Sequence, residues 1–272
     1  MRFIRFIDES GNILTGCDYD GTTASLVSHG ADFFNGYELV GKREKVSTLL
    51  CPVLPRAILC IGLNYRRHAE ETGMPIPTHP VLFMKNPAAM TGPAGDIVIP
   101  RSCLDPLQVD YEVELGVVIG TNAKNVPVDD AMNHVFGYTC ANDISARRWQ
   151  KNAGGGQWVR GKSFDTFCPA GPELVTKDEI NDAGNLNLTC LLNGEVMQCG
   201  NSSDMIFPVP ELISRLSQSM TILAGTLILT GTPSGVGFAR TPQVYLKPGD
   251  ILESRIDGVG KMINPVTAET VP

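Results

Sequence analysis

Three acids occupy alternate positions, 110, 112 and 114, in the run Val-Asp-Tyr-Glu-Val-Glu-Leu-Gly-Val-Val-Ile-Gly at residues 109–120. The residues that follow them in this run are all apolar. Successive side chains of a strand point to opposite faces, so Asp110, Glu112 and Glu114 are expected on one face. Such a ridge fits a solvated face, or a site where a divalent cation offsets the repulsion among the carboxylates. The acids alone favour the solvated face, because exposed carboxylates are common. The apolar continuation instead predicts a strand that enters a core.

The chain of 272 residues is long enough for one large domain or a domain with a small appendage. A charged stretch at 41–45 and the Cys-Pro-Val-Leu-Pro sequence at 51–55 are typical of a linker. We therefore expect a small, β-rich N-terminal domain over residues 1–53 and a larger domain over residues 54–272.

Charge and composition restrict the partners. The net charge of −7 argues against nucleic acid or an anionic membrane as a partner. No apolar run approaches the ~18 residues of a membrane-spanning helix, and the acids Asp8 and Glu9 interrupt any signal-peptide core, so the expected location is the cytoplasm. The eight cysteines form no Cys-x-x-Cys pair, which indicates neither a zinc site nor a disulfide framework.

Local patterns predict a mixed α+β fold dominated by strands, with few helices. The expected strands lie at 56–62, 81–85, 96–100, 135–141, 186–198 and 226–230, with an Asn193–Gly194 hairpin turn within the fifth and a further strand after the turn at 247–250. One helix is predicted over residues 64–72, ended by Gly73. Another follows Pro208 and places Leu212, Ile213 and Leu216 on its inner face.

Two short motifs are candidates for chemistry. His68 and Glu71 lie three residues apart, so on a helix the carboxylate can orient the imidazole and raise its basicity, as a general base requires. An ordinary exposed helix face is the commoner explanation of such a pair. Asp143 follows a predicted strand, where it is either a third metal ligand or, as spacing alone favours, an acid at a helix start.

Residues 156–163 match the phosphate-loop pattern Gly-x-x-x-x-Gly-Lys-Ser. A phosphate loop follows a buried strand and opens a helix, and neither flank fits here, so nucleotide binding is not predicted. Lys162 remains a candidate cation directed into a pocket. The glycine-rich segment 231–237 fits an anion-binding nest of backbone amides or a tight turn, and the sequence does not choose between them.

Five motifs in this order resemble the fumarylacetoacetate hydrolase superfamily, and the resemblance covers residues 56 to about 266. They are Ile-Gly-Leu-Asn-Tyr at 61–65 with His68 and Glu71, Glu-Val-Glu at 112–114, Asn-Asp-Ile-Ser-Ala-Arg at 142–147, Gly-Lys-Ser-Phe-Asp at 161–165, and Thr-Gly-Thr-Pro-Ser-Gly-Val-Gly at 230–237. The chain is most similar to the shorter, domain-containing members of that superfamily.

The resemblance implies a β-roll or barrel catalytic domain, usually a homodimer, with one divalent ion per subunit, Mg²⁺ or Mn²⁺. The implied ligands are Glu112, Glu114 and Asp143. It also implies that His68 and Glu71 activate water, on a segment that often orders as a lid, and that Lys162 is the active-site lysine. Longer members add an aspartate ligand that residues 59–62 lack, so three carboxylates plus water are expected here.

We therefore expect a metal-dependent hydrolase that cleaves a C–C bond in an acylpyruvate-like diketo acid. Lys162 would stabilise the oxyanion that forms when water attacks. An oxaloacetate-type decarboxylase and a keto–enol tautomerase are alternatives that use the same site, and a non-catalytic metal-binding homologue is a remote one. Arg66, Gln150 and Thr232 are candidates for substrate binding, although an exposed position is ordinary for an arginine.

Overall fold

The computed structural model of the chain describes residues 1–29, 33–152 and 156–270. Strands dominate and the helices are short, as predicted. The N-terminal strands are β1 (Arg2–Ile7), β2 (Ile13–Cys17), β3 (Thr23–His29), β4 (Tyr37–Lys45) and β5 (Thr48–Leu50). The later strands are β6 (Ile58–Gly62), β7 (Val81–Lys85), β8 (Met90–Thr91), β9 (Ile97–Ile99), β10 (Val109–Asp110), β11 (Val113–Ile119), β12 (Val135–Asn142), β13 (Ser145–Ala146), β14 (Cys168–Thr176), β15 (Asn187–Leu192), β16 (Glu195–Asn201), β17 (Leu227–Leu229), β18 (Ile251–Ile256) and β19 (Gly260–Ala268). The α-helices are α1 (Arg66–Thr72), α2 (Arg147–Lys151), α3 (Val159–Lys162) and α4 (Val209–Leu216).

Most strands belong to one large mixed sheet. Its order is β4-β3-β2-β1-β14-β12-β11-β17-β6-β7, with β5 added to β1 and β8 to β14. A second sheet has the order β16-β15-β18-β19-β9, and β10 pairs with β13 alone. The predicted β-dominated fold is confirmed, but within the described ranges the large sheet ends at β4 and β7 and does not close into a barrel.

The acidic run at 109–120 forms two strands rather than the one predicted. β10 pairs with β13, whereas β11 pairs with β12 and β17, so the chain changes partners between Asp110 and Val113. The amide of Glu112 there donates to Asn142 Oδ1 at 2.9 Å. The strict alternation expected across Asp110, Glu112 and Glu114 therefore breaks after Asp110.

The predicted linker at 41–45 is wrong, because these residues belong to β4 and pair with β3. Their charges are accommodated at the exposed sheet edge, where Arg43 binds Asp20 Oδ2 at 2.8 Å. The N-terminal strands also join the large sheet through β1, which pairs with β14 at Arg2 and Phe3. A domain boundary after residue 53 stays a prediction.

Several local predictions are confirmed. Helix α1 ends at Gly73, which has a φ of 66°, and the Asn193–Gly194 turn joins β15 to β16 with positive φ at both residues. The helix begins later than predicted because Asn64 instead anchors the loop: its Nδ2 donates to the carbonyls of Phe207 and Thr230.

The core is continuous around β11, β12 and α4, where the predicted inner residues Leu212, Ile213 and Leu216 are buried. All eight cysteines are free thiols, and only Cys199 is exposed. None of the helices in the described ranges is long and apolar enough to cross a membrane.

Candidate active site

Three buried carboxylates meet where β11 lies beside β12. Glu112 immediately precedes β11, Glu114 lies on it, and Asp143 follows β12. One oxygen of each lies within 4.8 Å of the others. Strand pairing sets this arrangement, since the amide of Asp143 donates to the carbonyl of Glu112 at 2.8 Å. The solvated-face interpretation of Asp110, Glu112 and Glu114 is wrong, because these residues are 0%, 6% and 2% exposed.

Two buried lysines bind this carboxylate cluster. Lys162, at the end of α3, places Nζ 2.6 Å from both Glu112 Oε2 and Asp143 Oδ2. Lys85, at the end of β7, places Nζ 2.5 Å from Asp143 Oδ1 and donates to the carbonyl of Ile144. Sequence reasoning missed Lys85, although alternation along β7 gave a signal by placing it on the face shared with Phe83.

Asp110 is not part of the carboxylate cluster, although alternation had placed it on one face with Glu112 and Glu114. It binds Arg147 instead, with Oδ2 2.9 Å from Nε. The same guanidinium lies 2.6 Å from Glu112 Oε1, and its Nη1 donates to Gln150 Oε1 at 3.1 Å. Sequence reasoning also missed Arg147, because no spacing in the sequence indicates that this helix residue binds both Asp110 and Glu112.

With all of its groups ionised, the site would not be balanced in charge. The four buried carboxylates Asp110, Glu112, Glu114 and Asp143 meet three buried cations, Lys85, Arg147 and Lys162, so one negative charge would be in excess. Burial, reinforced by the charges of Asp143 and Glu112, raises the pKa of Glu114 well above its ordinary value. For Glu112 burial acts in the same direction, but Arg147 and Lys162 outweigh it and lower the pKa.

These residues fit a divalent cation. Three carboxylate oxygens converge, as hard ions such as Mg²⁺ and Mn²⁺ require. A positive ion would also relieve the mutual repulsion that raises the pKa of Glu114. Glu112, Glu114 and Asp143 would hold it.

The predicted dyad forms on α1. His68 Nδ1 lies 2.7 Å from Glu71 Oε1, and the imidazole is largely buried. The other carboxylate oxygen of Glu71 accepts the backbone N–H of Gly235 at 2.8 Å. Both carboxylate oxygens of Glu71 are thus hydrogen-bonded, and this fixes the orientation of the His68 imidazole.

The segment 231–237 binds anions, but they are the protein's own carboxylates. Gly231 donates its N–H to Glu114 Oε2 at 2.7 Å, and Gly237 donates to Asp110 Oδ1 at 2.7 Å. Gly235 has a φ of +105°, and a Cβ there would lie 2.2 Å from the carbonyl of Met197. The tight turn and the anion nest are therefore one feature, which we call the glycine loop.

His68 of the dyad and Glu112 and Glu114 of the carboxylate cluster open onto one cavity of about 290 Å³. Its polar lining is His68, Thr72, Glu112, Glu114, Arg147, Gln150, Lys151, Lys162 and Thr232. An apolar wall is formed by residues such as Ile61, Val81, Phe83 and Trp158. Asp143 lies behind this lining. The cavity is large enough for a small organic acid.

The three predicted substrate-binding residues differ in position. Gln150 lines the cavity and binds Arg147. Thr232 also lines it, but its hydroxyl accepts from Gln198 at 2.7 Å and donates to the carbonyl of Val113. Arg66 is exposed at the start of α1, outside the lining of the cavity.

The phosphate-loop match at 156–163 has a different explanation in the structure. Its lysine, Lys162, closes the short helix α3 and binds two carboxylates, so its ammonium is already occupied by anions. Among the described residues, the element before the motif is the helix α2 rather than a strand, and the helix within it, α3, ends at Lys162.

A comparison with protein-family models matches residues 57–267 to the C-terminal domain of fumarylacetoacetate hydrolase. The chain belongs to the fumarylacetoacetate hydrolase family. Among curated members, it is 48% identical to a Bos taurus protein named oxaloacetate tautomerase FAHD2A, mitochondrial, over 80% of this chain and 69% of that one. The Homo sapiens protein of the same name is 47% identical over the same shares of the two chains.

Solved structures of the family have the same fold. A 2-hydroxyhepta-2,4-diene-1,7-dioate isomerase from Mycobacterium marinum matches with a TM-score of 0.84 at 34% identity, over 100% of both chains. A fumarylacetoacetate hydrolase from Exiguobacterium antarcticum matches with a TM-score of 0.86 at 34% identity, over 99% of this chain and 100% of that one. Isomerases and hydrolases thus share this architecture, and the site must distinguish between them.

Proposed function

We propose that this family member is a divalent-metal-dependent tautomerase that interconverts the keto and enol forms of a small α-keto acid of the oxaloacetate type. The observation that carries the proposal is that His68, which Glu71 binds, lines the same cavity as Glu112 and Glu114 of the carboxylate cluster. The two relatives named oxaloacetate tautomerase, at 48% and 47% identity, support tautomerisation over the hydrolysis expected from the sequence.

The metal would be held by Glu112, Glu114 and Asp143, and when bound it supplies a Lewis acid that polarises an α-keto acid. The protein supplies the proton transfers. Because Glu71 is an acceptor for Nδ1, it favours the tautomer in which Nδ1 carries the proton and Nε2 is the free base.

His68 Nε2 would remove a proton from the carbon next to the carbonyl, and the resulting imidazolium would deliver it to the carbonyl oxygen, which gives the enol. The same two transfers in reverse regenerate the keto form. Tautomerisation moves one proton from carbon to oxygen and adds or removes no other atom, so no attacking water is required. The carboxylate of Glu71 stabilises the imidazolium that forms between the two transfers.

Lys162 would act as a donor rather than as a base. Burial alone would lower its pKa, but the charges of Asp143 and Glu112 outweigh burial and raise it, so the ammonium keeps its proton. A buried ammonium that lines the cavity can stabilise negative charge as it develops on the substrate oxygen.

C–C bond hydrolysis of an acylpyruvate is the second candidate, because the same dyad could activate water and a solved fumarylacetoacetate hydrolase shares the fold. The decisive experiment compares oxaloacetate and acetylpyruvate with the Mg²⁺- or Mn²⁺-loaded protein. It follows the ultraviolet absorbance of the enol, CO₂ release and pyruvate formation.

A tautomerase accelerates the keto–enol exchange of oxaloacetate without releasing CO₂. His68→Ala should slow this exchange by about 10² to 10⁴-fold, the usual contribution of general acid–base catalysis, while Mg²⁺ binding persists. Cleavage of acetylpyruvate would identify a hydrolase and CO₂ release a decarboxylase, and either result without accelerated exchange would contradict the proposal. A non-catalytic homologue would bind metal and turn over neither acid.

We also propose the metal, the oligomeric state, the location, the domain boundary and the substrate contacts. The ion is Mg²⁺ or Mn²⁺, one per subunit, and the protein acts as a homodimer in the cytoplasm. Its catalytic domain covers residues 54–272 after a small domain over residues 1–53. Substrate contacts come from Gln150 and Thr232 at the cavity, with Arg66 reaching it only if the α1 segment closes as a lid.

A further inference from the structure

The cavity contains a cation that the proposed chemistry does not use. Lys151, the last residue of α2, lines the cavity, with Nζ 3.8 Å from the ring centroid of Phe238. The guanidinium carbon of Arg147 lies 4.4 Å from the same centroid. Two positive side chains thus contact one aromatic ring.

Lys151 differs from the other cations of the site in its partners. Lys85, Arg147 and Lys162 each bind at least one buried carboxylate. Across the described ranges, Lys151 makes no ion pair with a carboxylate, and its contact is the face of Phe238. Burial and then the charge of Arg147 lower its pKa, so a nearby anion would stabilise the ammonium.

The geometry of Arg147 links Lys151 to the reacting end of the cavity. Arg147 binds Glu112 with one side of its guanidinium and contacts Phe238 as well. Asp110 fixes both partners, since it accepts from Arg147 Nε and from the backbone N–H of Phe238. Lys151 and Arg147 therefore contact the same ring, that of Phe238, and Arg147 in turn binds Glu112 of the carboxylate cluster.

The rest of the lining shows where a second negative charge could lie. Ile61, Val81, Phe83 and Trp158 form an apolar wall that offers no charge to a carboxylate. The remaining carboxylates of the cavity would repel it. The ammonium of Lys151, on a flexible four-carbon stem, is the cation that can turn from the ring to an incoming anion.

We propose that Lys151 binds the distal carboxylate of a dicarboxylic α-keto acid, and so selects dicarboxylic over monocarboxylic substrates. This inference rests on the proposed function for the position of the α-keto acid end, but it concerns binding rather than the proton transfers. Lys151 is a specificity-determining residue in this view.

The test measures binding by calorimetry to the Mg²⁺-loaded protein. One probe is 3,3-difluorooxaloacetate, which has two carboxylates and lacks the hydrogen that tautomerisation removes, and the other is pyruvate, which has one carboxylate. Because Lys151 is exposed, Lys151→Met should weaken binding of the dicarboxylate by up to about fivefold, as expected for the loss of one exposed charge pair. Pyruvate binding should be unchanged.

Lys124→Met is the matched control, because it removes the same charge from an exposed loop outside the cavity. Lys151→Arg should keep the preference for the dicarboxylate. Equal binding of both probes by the native protein, binding of neither, or a loss in Lys151→Met that is the same for both would overturn the inference.

Turnover separates this inference from the proposed function. If Lys151→Met selectively loses the dicarboxylate while the native protein fails to exchange oxaloacetate, the substrate class stands and the tautomerase assignment fails. If the native protein catalyses the exchange and Lys151→Met binds both probes normally, the assignment stands and the role of Lys151 fails.

Discussion

Gly235 donates its backbone N–H to Glu71 Oε2 at 2.8 Å, so the glycine loop fixes the carboxylate that orients His68. The donor belongs to a residue 164 positions along the chain from its acceptor. The dyad therefore depends on a distant loop as well as on its own helix.

Gly235→Ala should reduce kcat by about 10- to 100-fold, the usual effect of losing a residue that orients an active group. The new Cβ would lie 2.2 Å from a backbone carbonyl at a φ of +105°, so the loop must move and the bond to Glu71 is lost. Steady-state kinetics measures this effect. Gly11→Ala, at a φ of +84° with open space around it, should keep the native kcat; an equal loss there would indicate a general effect of backbone strain.

Lys85→Met should destabilise the metal-free protein by about 3 to 5 kcal/mol, because it leaves the buried carboxylate of Asp143 without one of its two lysines. A divalent ion restores positive charge there, so Mg²⁺ should stabilise the variant more than the native protein. Urea unfolding with and without Mg²⁺ measures both effects. If Mg²⁺ stabilises the two proteins equally, Lys85 does not compensate the charge of the carboxylate cluster.

Metal binding should release a proton. The pKa of Glu114 in the metal-free protein is raised well above 4.5, whereas a ligand must be ionised. Between 4.5 and the raised pKa, the free site holds a proton that the metal displaces, so apparent affinity should increase with pH across this window and level off above it. Calorimetry in two buffers of different ionisation enthalpy counts the released protons. Binding without proton release in that window would show that Glu114 is already ionised.

The raised pKa of Glu114 also predicts how the stability of the metal-free protein depends on pH. The unfolded chain ionises Glu114 at its ordinary pKa and the folded, metal-free chain resists ionisation, so the contribution of Glu114 to the free energy of unfolding falls as pH rises above 4.5. Saturating Mg²⁺ should remove this fall, which unfolding measurements along a pH series would detect.

Leu212→Ala should cost about 2 to 5 kcal/mol of unfolding free energy, since the residue is 1% exposed within the core around α4. Leu223→Ala is the matched control, because Leu223 is 44% exposed and a surface change usually stays within about 0.5 kcal/mol. Urea denaturation of the two variants tests the difference. A loss for Leu212→Ala that is as small as the loss for Leu223→Ala would mean that α4 contributes little to the core.

Sequence patterns predicted the parts of the site that local spacing sets. Two-residue spacing placed Glu112 and Glu114 together, and three-residue spacing placed His68 beside Glu71, as the structure shows. Asp143 as a ligand came from the family resemblance, since spacing alone favoured a helix-start acid. The strand and hairpin predictions worked because each depends on a few adjacent residues.

Long-range partners could not be predicted in this way. Lys85 meets Asp143 across 58 positions, and Asp110 meets Arg147 across 37, so no local period connects either pair. The predicted continuous strand failed for the same reason: the change of pairing partner beside Glu112 depends on where β13 lies. The charged segment 41–45 resembled a linker because an exposed edge strand can also be rich in charge.

The glycine loop serves three carboxylates with different roles: Glu114 of the cluster, Glu71 of the dyad, and Asp110, which holds Arg147. Inserting or deleting one residue in the loop would move its donors relative to all three at once. A change in the length of the glycine loop would therefore disrupt the carboxylate cluster, the dyad and Arg147 together. New substrate ranges would have to arise through point substitutions on the apolar wall or at Lys151, which take no part in these bonds.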